Sequence, residues 1–419
     1  MTHGRNFYRP VAWPEYEDTL PQAPGPDAPH VLDAALWWTP HRQGRLNRYL
    51  AAKREVLTQV GWRHTLLAPG VQARGDVDCG GLCLPGAAGH RVVLSRRRAA
   101  RLIERVQPQL IEAADPSTLS WSVLDAAERL KVPAVAFCHH DLSARMERLL
   151  QGWPEPSRQA AAWAARHLGA YLLRLYARFD LVLAPSRAIV RSLQGLGLHQ
   201  AQYQPLGVDC SVFSPAACDL AWRQAWLQQL GLAPATKLLL YAGRFAADKH
   251  LGLLGEAVRQ LGRGHALVVI GEGPLPPRGD HVRVLPAPTD GHRLARMMAA
   301  ADAFVHAGEQ DSVGLCVLEA MACGTPVVVS DAGGLAEWAA DVGLAVPSQR
   351  PADWAEALRC CVQGGLGVDT DRGLQRARRH DWTVVLGQLA RRYHRALGMP
   401  LQAEGVVALA PMALQPALH

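Results

Sequence analysis

The sequence lacks any apolar run of about 18 residues, so no segment is expected to span a membrane. Its first 28 residues carry charges and prolines but no apolar stretch, so no secretory leader is expected. The nine cysteines are odd in number and scattered, and no spacing among them suits a zinc site or a disulfide framework. A reducing, cytoplasmic compartment is therefore the expected location.

Charge and length restrict the class of protein further. The 419 residues are long enough for two domains, and their formal net charge of +7 admits anionic partners. Those partners are a phosphate-rich ligand or an anionic membrane surface, and the alternative is an ordinary solvated basic surface. Nucleic acid is not expected, because the arginines at 96–98 lie in a helix-like segment without interleaved aromatic residues.

Short apolar runs alternate with helical patterns, which indicates parallel sheets covered by helices on both faces. The predicted strands are 30–37, 65–68, 92–94, 110–113, 132–137, 180–184, 238–241, 268–271, 282–285, 303–306, 327–329 and 343–346. The predicted helices include 96–106, 118–130, 159–178, 290–300, 314–322, 351–362 and 384–397. No internal repeat is evident, although both halves share this rhythm.

One strand–loop–helix unit in the second half carries two carboxylates eight residues apart, Asp311 in the loop and Glu319 in the helix. A glutamate on so apolar a helix either reaches the surface or has a buried partner. Gly314 lies between the two carboxylates and lets a ligand approach the backbone closely. These features predict a site for a ligand with hydroxyls and phosphate, and the alternative is a solvated glutamate on a helix flank.

A second pattern suits a diphosphate. The predicted strand 238–241 leads into Gly243 and Arg244, and Lys249 follows five residues after the arginine, where a helix begins. The glycine admits close approach, the guanidinium offers a planar fork and the ammonium a point charge. The alternative is a pair of surface cations at a helix N-terminus, which is mildly unfavourable unless an anion binds there.

Two loops of the first half are candidates for the same cleft. The loop 38–44 ends in Gly44, which either lies against a ligand or serves an ordinary turn that needs glycine for its conformation. The strand 132–137 is followed by His139 and His140, and we choose His139 because it is nearer the strand end. The alternatives are His140 in the same role, or a loop histidine that only makes hydrogen bonds.

The sequences of these motifs resemble those of one known family. DSVGLCVLEAMACGTPVVV, which begins at Asp311, resembles the signature of the retaining glycosyltransferases of family four. The part from Glu319 onward matches fully, whereas Asp311 replaces a glutamate and Val313 a phenylalanine. The Gly-Arg…Lys motif at 243–249 also matches, and QPLGVDCSVFSP at 204–215 resembles the linker between the family's two domains.

The resemblance implies a GT-B fold, in which two doubly wound, Rossmann-like α/β domains face each other across a cleft. The implied domains are an acceptor-side domain and a donor-binding domain that binds a nucleotide-sugar. We expect an extended arm at 1–28, the acceptor-side domain at 29–205, the donor domain at 206–381, a helix at 382–398 that returns to the first domain, and a disordered tail at 399–419.

The resemblance also implies an activity, namely transfer of a hexose from a nucleotide-sugar with retention at the anomeric carbon. Glu319 would hold the donor ribose, while Asp311 and His139 would face the transferred sugar. The sequence HAGEQ, which begins at His306, is similar to that of the GDP-mannose-dependent mannosyltransferase branch, and this favours GDP-mannose over a UDP-sugar. The acceptor, a carbohydrate or a lipid, is not indicated, and a peripheral contact with the inner face of a membrane fits the charge.

In the same family scheme, Arg244 and Lys249 would neutralise the leaving diphosphate. Backbone groups at Gly44, Gly243, Gly314 and Leu315 would complete its site. No metal is expected, because no His/Asp/Glu cluster with ligand spacing accompanies these residues and the two cations can replace one. Two alternatives remain: a catalytically silent relative that acts as a binding protein, and a nucleotide-sugar epimerase.

Overall fold

The computed structural model describes residues 24–25, 27–39, 44–83, 91–93, 95–140, 142, 157–288, 290–309, 313–365 and 367–399. These residues form two parallel sheets, one in each half of the chain, and helices pack on both faces of each sheet. Strands covered on both faces read as continuous apolar runs, and this explains why the sequence pattern located them.

The sheet of the first half has the strand order β3-β2-β1-β6-β7-β8-β9. Its strands are β1 (His30–Ala34), β2 (Arg63–Ala68), β3 (Val77–Asp78), β6 (Leu110–Ala113), β7 (Ala134–Phe137), β8 (Leu181–Ala184) and β9 (Ala201–Tyr203). One face packs against α1 (Arg45–Gln59) and the last helix, α13 (Trp382–Ala396). The other face packs against α2 (Arg96–Val106), α3 (Thr118–Leu130), α4 (Ser157–Tyr176) and α5 (Arg187–Gly195).

The sheet of the second half has the order β12-β11-β10-β13-β14-β15. Its strands are β10 (Lys237–Ala242), β11 (His265–Ile270), β12 (Val282–Leu285), β13 (Ala303–His306), β14 (Val327–Ser330) and β15 (Leu344–Val346). Its helices are α6 (Leu220–Gln229), α7 (Leu251–Leu261), α8 (Gly291–Ala299), α9 (Leu315–Ala322), α10 (Gly333–Ala339), α11 (Pro351–Val362) and α12 (Thr370–Arg379). None of the helices that the structure describes has the length and hydropathy of a membrane span.

In both sheets the strand order reverses beside the first strand of that half. β10 lies between β11 and β13, with Leu240 opposite Phe304, and β1 lies between β2 and β6. Loops at the carboxyl ends of the strands diverge at such a point, and ligands of doubly wound folds bind there. The ends of β10 and β13, which lead into the two motif loops, therefore lie side by side.

One strand prediction is wrong. The run 92–94 was expected to join the parallel sheet, but β5 (Arg91–Val92) pairs antiparallel with β4 (Leu82–Cys83) in a separate two-stranded sheet. A run of three residues can form its backbone hydrogen bonds with one short partner strand. Its apolar pattern therefore did not indicate which sheet it joins. The domain boundaries at 28, 205, 381 and 398 remain predictions.

The two halves contact each other at the edges formed by the strand ends. Val313 and Leu315, just before and at the start of α9, are buried in the core that α1 and α13 share with the first sheet. On α10, the carboxylate of Glu337 accepts hydrogen bonds from the backbone N–H groups of Arg187 (3.1 Å) and Ala188 (2.8 Å), at the N-terminus of α5. A carboxylate there is favoured by the helix dipole, so this contact stabilises the approach of the halves.

Candidate functional site at the meeting of the two sheets

The turn after β10 presents one predicted cation and buries the other. Arg244 is exposed, and its carbonyl accepts a hydrogen bond from the Tyr241 hydroxyl at 2.9 Å. Lys249 lies on a short 3-10 turn, is 5% exposed, and forms an ion pair of 3.1 Å with Asp248. At Gly243, φ is 157° and a Cβ atom would lie 2.7 Å from the Tyr241 hydroxyl, so the turn itself requires glycine.

Lys249 reaches the end of the neighbouring strand β13. A Cβ atom on Gly308 would lie 3.1 Å from Lys249 Cδ and 2.7 Å from His306 Cε1, which shows how closely the lysine stem packs there. The aliphatic stem of Lys249 therefore packs between the ends of β10 and β13. This brings the Gly-Arg…Lys motif to the same edge as the strand that leads towards α9.

The turn Gly271–Gly273 after β11 supports the Gly-Arg…Lys motif directly. Phe245 N donates to Glu272 O at 2.8 Å, and a Cβ atom on Gly271 would lie 1.9 Å from Gly243 O. A Cβ atom on Gly273 would lie 2.4 Å from Phe245 O. Two glycines in one short turn after a strand were the available signal, because they admit this close backbone contact.

Glu319 has the buried partner that the sequence left open. It is 4% exposed on α9, and one of its carboxylate oxygens, Oε1, pairs with Nη1 of Arg48 on α1, in the other half of the chain. The second oxygen, Oε2, is buried without a hydrogen-bond partner among the described residues. Burial raises the pKa of Glu319 above its usual value, while the Arg48 guanidinium acts in the opposite direction.

The N-terminus of α9 is fixed by conformation. Gly314 has φ 59°, and a Cβ atom there would lie 2.4 Å from Leu335 Cδ2, so the left-handed turn and the packing both favour glycine. In the first turn, which begins at Leu315, the backbone N–H of Val317 donates to Gly314 O at 2.9 Å, and no side chain caps the helix. Asp311, predicted to face the donor sugar, lies outside the described residues.

His139 is more buried than a residue on the rim of a cleft. It is 2% exposed, its ring stacks on Phe137 with a centroid distance of 4.4 Å, and Tyr49 packs edge-on at 5.0 Å. Neither ring nitrogen has a hydrogen-bond partner among the residues described. Burial, together with the nearby Arg45 cation, holds the pKa of His139 well below its usual range, so the ring is neutral at neutral pH.

Arg45 connects the start of α1 to the histidine loop. Its Nη2 donates to the His139 carbonyl at 2.8 Å and lies 2.9 Å from His140 Nδ1. Gly44, the residue before α1, has φ −74°, and a Cβ atom there would meet nothing within 4 Å. The backbone conformation at position 44 therefore does not require glycine. This finding argues against the alternative that Gly44 serves only the conformation of an ordinary turn.

Acidic clusters of the kind that hold metal ions are absent from the part of the chain that the structure describes. Two Asp-x-Asp triplets occur in the sequence, and both make structural contacts. Asp76 pairs with Arg54, and Asp78 accepts from the N–H groups of Gly70 and Gly80 at 2.7 and 2.8 Å. In the second triplet, Asp369 caps α12.

The structure thus brings together residues from four strand ends, with α1 and α9 as the elements that meet. Arg45 links α1 to His139, Arg48 links α1 to Glu319, and Lys249 packs at the end of β13. Arg48 was not predicted, since its sequence context is an ordinary helix start. The arrangement can bind hydroxyls at Glu319 and negative charge at the cations.

Comparison with known proteins supports the motifs. Residues 236–363 match the model of the family described as "Glycosyl transferases group 1", and residues 46–212 match that of "Glycosyltransferase Family 4". A GDP-mannose-dependent alpha-mannosyltransferase of Mycobacterium tuberculosis (strain CDC 1551 / Oshkosh) is 34% identical over 57% of this chain and 59% of its own length. The alignment therefore spans less than two thirds of that relative.

A second relative is aligned over more of its length. The GDP-mannose-dependent alpha-(1-6)-phosphatidylinositol dimannoside mannosyltransferase of Mycobacterium tuberculosis (strain ATCC 25177 / H37Ra) is 30% identical over 67% of this chain and 71% of its own length. Among solved structures, HepE of Anabaena in complex with UDP has a TM-score of 0.67 at 17% identity and covers 87% of this chain and 100% of its own. A glycosyltransferase from Rickettsia africae has a TM-score of 0.67 at 13% identity, with 88% and 99% coverage. The chain therefore belongs to glycosyltransferase family 4, is related to its mannosyltransferase branch, and has the GT-B fold.

Proposed function

We propose that this protein transfers a mannosyl group from GDP-mannose to a carbohydrate or lipid acceptor, with retention at the anomeric carbon and without a divalent metal. The observation that carries the proposal is Glu319, a buried carboxylate with one unpartnered oxygen, at the edge where Lys249 also lies. A ribose hydroxyl is a donor that would satisfy that oxygen. The names of the two mannosyltransferase relatives favour GDP-mannose over a UDP-sugar.

The chemistry makes its largest electrostatic demand on the leaving group. When the bond between the sugar and the diphosphate breaks, its electron pair stays on the diphosphate. The acceptor oxygen bonds to the anomeric carbon, and its proton passes to an oxygen of the leaving diphosphate. Arg244, Lys249 and the backbone at the start of α9 are the groups that would stabilise this charge. One preorganised donor aimed at developing charge is worth roughly a hundredfold or more in rate.

The role proposed for His139 is to hold the transferred sugar. A neutral imidazole with two unpartnered nitrogens can donate one hydrogen bond and accept another. Sugar hydroxyls both donate and accept, so such a ring suits them. Gly44, with open space where a Cβ would stand, is the proposed point of approach between the first half and the diphosphate.

A peripheral membrane contact is part of the proposal. Arg97, Arg101 and Arg105 form an exposed stripe along α2, and Trp163 on α4 is 57% exposed. Both helices pack on the same face of the first sheet. Exposed arginines and an interfacial tryptophan are the features by which a protein surface binds anionic lipid.

A transfer assay tests this function. We expect the purified protein to consume GDP-mannose faster than a UDP-sugar and to do so equally in EDTA, with an α-linked product seen by NMR. Acceptors containing inositol, presented in anionic or neutral vesicles, are the first to try, because one relative is named for such a lipid. Sedimentation of the protein with the anionic vesicles alone is the expected sign of membrane contact.

Two outcomes of the same assay would contradict the proposed function or its mechanism. If the protein binds nucleotide but neither transfers the sugar nor slowly hydrolyses the donor, a catalytically silent binding protein would be favoured. Loss of activity in EDTA that magnesium or manganese restores would contradict the metal-independent mechanism.

A further inference from the structure

Arg48 crosses from one half of the protein to the other. It belongs to the first turns of α1, and its guanidinium contacts the carboxylate of Glu319, which lies 271 positions later in the chain. Val313 and Leu315 are buried beside α1 in the same region, so the contact lies where the two halves already touch. Neither family motif in the sequence contains this arginine.

Two polar atoms of the pair remain unsatisfied. In the described part of the chain, Arg48 Nε and Glu319 Oε2 are both buried and have no hydrogen-bond partner. Each such atom costs free energy unless something pairs with it. One is a donor and the other an acceptor, so a ligand that satisfies both must offer an acceptor next to a hydroxyl.

A nucleoside diphosphate offers this combination, since its ribose hydroxyls donate and its phosphate oxygens accept. We propose that Arg48 is a donor-site residue, a third cation that the first half supplies to the diphosphate while it stays paired with Glu319. The inference rests on the proposed function and adds to it a phosphate contact from the opposite side of the cleft.

The chemistry of arginine fits this double role. Its planar guanidinium can keep one Nη on a carboxylate while Nε and the other Nη face a phosphate, which a lysine ammonium does less well. The Arg48 side chain is 39% exposed, so part of it is open to a ligand while Glu319 stays covered. The pair also supplies this cation only when the two halves are close together.

The test compares Arg48→Met with a matched variant, Arg54→Met. Arg54 lies on the same helix, is 37% exposed and pairs with a buried carboxylate, Asp76, but at a different part of the fold. Calorimetry would measure the affinity for whichever of GDP, UDP and ADP the wild type binds most tightly, and for the corresponding nucleoside. We expect Arg48→Met to weaken the diphosphate by about tenfold or more, since bonds to charged groups are the stronger class.

The nucleoside separates a phosphate contact from a structural role. We expect the nucleoside to lose less affinity than the diphosphate in Arg48→Met, and Arg54→Met to change neither. An equal loss for both ligands, or no loss, would overturn the phosphate contact. If Arg48→Met does not fold, Arg48→Lys is measured instead, and it should keep part of the diphosphate preference. A wild type that binds none of the three diphosphates would contradict the proposed function itself.

Discussion

Replacing Lys53 with methionine is expected to lower the free energy of unfolding of the first half by about 3–5 kcal/mol. The ammonium of Lys53 is fully buried and lies 2.6 Å from Asp33 Oδ1 and 2.9 Å from Glu112 Oε1. Tyr49 donates to Glu112 at 2.9 Å, and Tyr393 on α13 donates to its other oxygen. Methionine would leave two carboxylates facing each other without a cation.

The pH dependence gives this prediction a second readout. Burial alone would raise the pKa of Asp33, but Lys53 and His64 hold it below its usual value, so Asp33 stabilises the wild type above about pH 4. Without Lys53, burial and mutual repulsion raise both carboxyl pKa values above those of the unfolded chain. The loss of stability in Lys53→Met should therefore be largest at neutral pH and smaller in acid.

The control is Lys237→Met, which breaks an ion pair of 2.9 Å between Lys237 and Asp302 on the surface. The Lys237 side chain is 46% exposed, and Asp302 keeps Arg223 as a partner, so the cost should stay below about 1 kcal/mol. Denaturant unfolding followed by circular dichroism measures both variants. If Lys53→Met does not fold, Tyr393→Phe should cost about 1–3 kcal/mol. Equal midpoints for Lys53→Met and the wild type would contradict the account.

Gly271→Ala is expected to reduce nucleotide affinity by about ten- to hundredfold, because it displaces the turn that carries Arg244 and a hydrogen bond to a charged group is worth roughly 1.5–3 kcal/mol. A Cβ atom there would lie 1.9 Å from Gly243 O, at a backbone φ of 147° that side chains rarely adopt. The backbone at Gly271 and the backbone at Gly243 cannot move apart without displacing the turn that carries Arg244. The measurement is calorimetric titration with the nucleoside diphosphate that binds the wild type.

Two glycines of the same half separate the causes of this loss. Gly262 has φ 84° with nothing within 4 Å of a Cβ position, so Gly262→Ala strains the backbone without a clash. Gly252 lies in helix α7 in open space, where alanine should stabilise by about 0.5–1 kcal/mol. Both variants should bind nucleotide as the wild type does. If Gly271→Ala also binds normally, the turn does not support the motif.

Local patterns in the sequence predict much of this fold. Strands 110–113, 282–285 and 303–306 have the bounds that the apolar runs predicted. Gly324, which closes α9, has a left-handed φ of 72°, the conformation in which glycine commonly ends a helix. The motif loops lie at adjacent strand ends because the connection rules of parallel sheets leave little choice. The predicted roles of the site residues remain predictions.

Contacts between segments that are far apart in the sequence could not be predicted from local patterns. Nothing near Arg48 indicates that it meets Glu319, and nothing near Glu337 indicates that it caps α5, because both contacts depend on how the halves approach. The Lys53 network did leave a signal. Lys53 stands three and four residues after Leu50 and Tyr49, on the buried side of α1, and a lysine there requires a buried partner.

The central claim is that Arg244 and Lys249 bind the diphosphate of the donor. The most direct measurement is calorimetric titration of GDP, UDP and ADP into the wild type, Arg244→Ala, Lys249→Ala and the control Arg263→Ala, an exposed arginine on the loop before β11. We predict that the wild type binds GDP most tightly, that each motif variant loses about ten- to hundredfold in affinity, and that the control loses none. Binding of none of the three nucleotides by the wild type, or unchanged affinity in both motif variants, would contradict it.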